Sequence, residues 1–218
     1  MIYKNNHIAI RGALAVLLAV LPVFASGEDT DTIKPSTSVG NPFSGKKAVQ
    51  ICQNCHGANG NNTDELTPKL AGQFQGYISK QLRNFLTGSR SHEILQGIVP
   101  ELSDSEMDGI AAYFASQPRM KGDGSAPNKR GYEIFTKGNR PQKVIPCIFC
   151  HGAGGKGLDS NIAMYPVIGG QHKKYLLKQL RDFRGKNRVN SPSDIMNKIA
   201  KSLSDEDIDA LADYISSL

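Results

Sequence analysis

The sequence predicts an all-α protein made of two tandem copies of one small domain, and three observations predict it. A five-residue motif, Cys-x-x-Cys-His, occurs twice, at residues 52–56 and 147–151. Two further blocks recur behind each copy in the same order. Residues 68–85 (PKLAGQ…YISKQLRNF) match residues 166–183 (PVIGGQ…YLLKQLRDF), and residues 102–113 match residues 203–214. Both recurring blocks bring apolar side chains back at helical spacing. Repetition of a motif and its flanks in one order is the mark of an internal duplication.

The repeated motif carries the chemistry. Cysteines three apart lie on one face of a helical turn, so Cys52 and Cys55, or Cys147 and Cys150, can bond the two vinyl groups of one porphyrin. The next residue, His56 or His151, then offers an imidazole to the iron. A thiol redox pair has no need of that histidine. Zinc ribbons separate their cysteine pairs by about 15–20 residues, whereas these pairs fall in different halves of the chain. All four cysteines are accounted for, and the expected cofactors are two haem c groups.

In chain order, Lys4 and Arg11 precede an apolar run over residues 12–24 with no acidic residue before Glu28. A membrane span takes about 20 apolar residues, so the run suits a signal peptide better, with cleavage after Ala25. The alternative is an uncleaved anchor. Residues 26–42, rich in Asp, Thr, Ser and Pro, read as a flexible leader. The first domain is expected over residues 43–117, a Pro- and Gly-containing linker over 118–127 and the second domain over 128–218. In each domain a helix should carry the haem motif. A second helix should present Tyr77, Leu82 and Phe85, or Tyr175, Leu180 and Phe183, on one face. Ser103 and Ser204 should cap a last helix, with Glu106 and Asp207 closing capping boxes. Ile110, Tyr113 and Phe114, or Leu211, Tyr214 and Ile215, form its buried stripe. Domains this small build limited cores, so the haem would supply much of the apolar surface.

Of the 26 Lys and Arg, two fall in residues 1–25, leaving 24 against 20 Asp and Glu. That modest surplus suits acidic protein partners and, without a dense basic run, excludes nucleic acid.

Taken with their order, these motifs resemble the dihaem cytochromes c4, two class I cytochrome c domains in tandem behind a signal peptide. The resemblance implies that the carbonyls of Pro68 and Pro166 accept a hydrogen bond from His56 and His151, the proximal ligands. It also implies a distal methionine shortly before the Leu-Ser-Asp helix. Met196, seven residues before Leu203, holds that position in the second domain, with Met164 a weaker competitor. In the first domain the position is Leu95, which cannot bind iron, and no methionine lies between His56 and Leu102. His92, one helical turn upstream, is the nearest donor; the other reading is an open sixth position.

The expected function is single-electron transfer in the periplasm. The expected partners are a membrane quinol-oxidising complex, a terminal oxidase or a flavoprotein dehydrogenase, with possible association with membrane complexes. The competing reading is a haem enzyme or ligand sensor using an open iron in the first domain. No flavin or nucleotide fingerprint is present.

Overall fold

The computed structural model describes residues 46–159 and 164–218. The signal peptide, the leader and the first residues assigned to the first domain lie outside the described residues. The first half holds α1 (Lys46–His56), α2 (Gln75–Leu86), α3 (Glu93–Ile98) and α4 (Asp104–Ala115). The second holds α5 (Lys129–Lys137), α6 (Ile148–His151), α7 (Lys173–Arg184), α8 (Ile195–Lys201) and α9 (Asp205–Ser216). Among the described residues there is no strand, and one antiparallel bridge, Asn139 with Val144, is the only extended pairing.

Each half closes on its own apolar core. In the first, Phe85, Val99, Met107, Ile110 and Phe114 bury against Val49 of α1. In the second, Phe135, Leu176, Ile208, Leu211 and Tyr214 take the same part. The expected stripes are present, although Tyr113 is only half-buried because its hydroxyl reaches out to donate to the Ala58 carbonyl at 2.7 Å. Both capping boxes form, Ser103 with Glu106 and Ser204 with Asp207, satisfying backbone N–H groups that the first turn leaves free.

The copies differ in how they reach the motif. α1 runs unbroken through Cys52, Cys55 and His56. In the second half the motif lies on a short helix of its own, α6, separate from α5, which ends at Lys137. Gly138 causes the break. It sits at φ 74°, where an L side chain is strained, and a Cβ there would overlap the Val144 carbonyl. The turn after it is closed by Asn139 N–H donating to Val144 O and Val144 N–H donating to Asn139 O, both at 2.9 Å.

The halves meet through contacts that repeat with their roles exchanged. Gln73 donates to Val167 O at 2.8 Å and accepts from Val167 N–H at 3.0 Å. Its counterpart Gln171 donates to Lys69 O and accepts from Lys69 N–H, both at 2.9 Å. Arg188 donates to Tyr77 Oη at 2.9 Å and Gln81 Oε1 at 3.2 Å. Arg90 donates to Tyr175 Oη at 3.0 Å and Gln179 Oε1 at 3.1 Å. The stretch assigned as linker is docked into this seam. Met120 is buried with Phe74 and Val167, Asp123 N–H donates to Ser216 O at 3.0 Å, and Lys69 Nζ donates to Lys121 O at 2.9 Å.

The two caps should not be equal in worth. Asp207 is fully buried, and its Oδ1 accepts from Arg130 Nη2 at 2.6 Å and Nε at 3.0 Å, whereas Glu106 is half-buried and has no basic partner among the described ion pairs. Asp207→Ala removes the half of the capping box that accepts from Ser204 N–H and strips the exposed Arg130 of its partner, and is expected to cost about 1–3 kcal/mol. Glu106→Ala should cost clearly less. Thermal unfolding of the two haem-loaded variants in parallel checks the order.

Candidate haem sites

On α1, Cys52, Cys55 and His56 share one side of the last helical turn. The chain then turns through Gly57 and Gly60, both at φ 82°, and returns through Pro68. His56 Nδ1 lies 2.8 Å from the Pro68 carbonyl oxygen. In the second half His151 Nδ1 lies 2.9 Å from Pro166 O. A carbonyl only accepts, so Nδ1 carries the proton in both rings and the Nε2 lone pair is left free. Burial holds both imidazoles below the ordinary histidine pKa, against the opposing pull of the proline carbonyl. Both are therefore neutral donors at pH 7, the form that binds iron.

The first thiol of each pair is a poor nucleophile in its own right. Burial pushes Cys52 up to about 11 and Cys147 up to about 12, and none of the four cysteines is in a disulfide. Redox-active cysteines need the opposite shift. No group of three or more His, Cys, Asp or Glu among the described residues forms a metal-binding cluster. A zinc or thiol-exchange site is thus unsupported.

On the distal side the halves part. Leu95 on α3 packs against the first core. His92 immediately precedes α3, is exposed, and stacks edge-on to Phe85 with ring centroids 6.5 Å apart. It lies close enough to His56 to depress that group's pKa further, after burial. Met196 on α8 is half-buried and outside the second core, its backbone N–H bonded to Ser191 Oγ at 3.2 Å. Met164 is exposed.

The residues fit haem c. Each half brings two thiols, a neutral imidazole of fixed tautomer and a small apolar core. Sequence reasoning missed the charged seam between the halves. Arg188, 8% exposed, and the half-buried Arg90 and Lys80 converge there, and among the described residues no carboxylate comes within ion-pair distance of any of them, Asp182 acting on Arg188 only from further away. Their acceptors are all neutral, including Gln81, Gln179, Asn84 and the Asn190 carbonyl. Buried cations call for a counter-charge, and a group that brings its own carboxylates is compatible with them. The recurring Tyr-x-x-x-Gln spacing with a later Arg was the available signal.

Two helical lobes, each presenting Cys-x-x-Cys-His beneath a proline carbonyl, define a two-haem c-type cytochrome. The Cytochrome c family model matches residues 44–118 and 129–218. Cytochrome c4 of Stutzerimonas stutzeri is 38% identical over 192 residues, spanning 83% of this chain and 90% of the relative. A thiosulfate dehydrogenase electron acceptor from S. stutzeri strain A1501 is 33% identical over 220 residues, spanning 99% and 96%. The crystal structure of reduced recombinant cytochrome c4 from Pseudomonas stutzeri superposes with a TM-score of 0.77 at 38% identity, covering 82% of this chain and 99% of that one. The chain belongs to the cytochrome c4 family, with two haem c groups as its cofactors and an electron-carrying role.

Replacing Cys147 and Cys150 together with Ser should lower the haem-to-protein ratio from two to one. A pyridine haemochrome assay against protein concentration measures it.

Proposed function

We propose that the protein relays single electrons in the periplasm between a respiratory quinol-oxidising complex or a dehydrogenase and a terminal acceptor. The observation that carries the reading is the pair of neutral imidazoles, each tied by Nδ1 to a proline carbonyl and each following a cysteine pair. In it, Cys52, Cys55, Cys147 and Cys150 hold the two porphyrins, and His56 and His151 are the proximal ligands. Pro68 and Pro166 orient those ligands, and Met196 is the distal ligand of the second haem. Haem c supplies reversible one-electron chemistry at iron. The protein's part is to fix the ligands and to hold the two halves together, which the reciprocal glutamine and arginine contacts do.

A dehydrogenase as electron source is supported by the relative named as the electron acceptor of thiosulfate dehydrogenase, which aligns along nearly the whole chain. Export rests on residues 1–25. None of the described helices is long and apolar enough to cross a membrane.

A second reading, a haem enzyme or ligand sensor, is favoured by one observation: Leu95 fills the position that Met196 holds in the other half. In that reading the first iron keeps an open sixth position; in the carrier reading His92 fills it. Optical and EPR spectra of the oxidised haem-loaded protein separate the two. Two low-spin haems, one turning high-spin in His92→Ala, would establish the carrier with a histidine ligand. A high-spin haem already present in the wild type and unmoved by the substitution would establish the open iron.

Methionine favours ferrous iron more than imidazole does. The second haem should therefore hold the higher potential, making transfer from the first to the second downhill. A spectroelectrochemical titration that assigned the higher potential to the first haem would reverse this order.

A further inference from the structure

The two halves also differ on the side of the histidine. Pro68 O accepts from His56 Nδ1 at 2.8 Å, and it accepts a second time from Asn62 Nδ2 at 3.2 Å. The other hydrogen of that amide goes to Thr67 O at 3.2 Å. Both donors are spent on the proline turn, while Asn62 Oδ1 is buried with no partner. An acceptor left unsatisfied in the interior is unfavourable, so this amide holds its place through what it donates.

The duplication provides an internal comparison. Gly60 N–H bonds to Gly57 O at 3.0 Å, and Leu70 N–H bonds to Gly60 O at 2.8 Å. In the second half Gly155 N–H bonds to Gly152 O at 3.0 Å, and Ile168 N–H bonds to Gly155 O at 2.8 Å. Gly60 therefore matches Gly155, and counting on two residues sets Asn62 against Gly157. Gly157 has no side chain to donate, and a Cβ there would run into the ring of Phe74 from the first half. Among the described residues, His151 is the only donor to Pro166 O.

We propose that Asn62 is a positioning residue that tunes the first haem through Pro68. An imidazole whose N–H is donated to a carbonyl becomes a more basic ligand, and a more basic ligand favours ferric iron. A second donor on the same oxygen withdraws electron density from it and weakens the bond to His56. Asn62 thus makes His56 a less basic ligand and raises the potential of the first haem, with no equivalent among the described residues at the second. The proposal rests on His56 being the iron ligand, and the test keeps the two apart.

The experiment is a spectroelectrochemical titration of the haem-loaded wild type, Asn62→Ala and Asn62→Gly, the last giving the first half the residue the second already has. The midpoint of the first haem should fall in both variants while that of the second stays fixed. NMR of the reduced protein under carbon monoxide should show the His56 Nδ1–H moving downfield in the variants as its bond to Pro68 shortens. A first-haem potential that stays or rises would overturn the proposal, as would an equal shift of both haems. Loss of thermal stability with unchanged potentials would reduce Asn62 to a structural part and overturn it too. His56 ring protons lacking the strong upfield shift of an iron-bound imidazole would remove the ligand assignment, and this tuning with it.

Discussion

The hydrogen bond from each motif histidine, His56 half-buried and His151 buried, to a proline carbonyl is the constraint on which the two sites depend. It fixes the imidazole tautomer, leaves Nε2 free and ties the end of the motif helix to a loop that returns 12 residues later in one half and 15 in the other. The loop must therefore be pinned at its turns, and glycines at positive φ do this at Gly60 and Gly155, each receiving the returning chain on its carbonyl. Proline suits the far end because its φ is preset and its carbonyl stays free to accept.

Duplication explains the form of the contact between halves. When one surface meets a copy of itself across an approximate two-fold axis, each contact occurs twice with donor and acceptor exchanged. Gln73 and Gln171 obey this closely, each satisfying both backbone groups of a residue in the other half. The arginines obey it less well. Arg188 is buried and reaches Tyr77, Gln81, Gln179 and Asn190, while Arg90 stays half-exposed. Buried polar networks of this kind specify one arrangement over sliding alternatives when every member is satisfied.

The sequence made the fold class legible because the duplication could be read without any propensity argument. The capping boxes at Ser103 and Ser204 and the apolar stripes followed from local spacing, whereas the proline that each histidine meets came from the resemblance to the dihaem cytochromes. The break between α5 and α6 was not legible from periodicity, since residues 129–137 are helical and Gly138 interrupts them only through its approach to Val144. The seam was hidden for a different reason. Gln73, Gln81 and Arg188 look like surface residues in sequence, and only the packing of one half on the other makes them interior. Asn62 was hidden for a third: its role is visible only once Pro68 O is seen to receive two donors. The contrast between Leu95 and Met196 was the reverse case, visible in the sequence because the family pattern marks the position and a leucine cannot bind iron.

The same duplication shows where the halves have been made unlike, and the differences lie around the histidines. On the distal side, under the proposed ligation by Met196, leucine at the matching position of the first half withholds the ligand that raises potential, which acts to lower the first haem. On the proximal side, the Asn62 amide shares the carbonyl that would otherwise be given wholly to His56, which acts to raise it. The two effects oppose each other. A relay needs a gap between its centres large enough to direct the electron and small enough to waste little driving force. Loss of a distal methionine alone opens that gap widely, and a proximal donor narrows it without touching the sixth coordination position. Asymmetry of this kind leaves the seam and both cores intact, since Asn62 sits in the Pro68 loop and Leu95 at the rim of the first core.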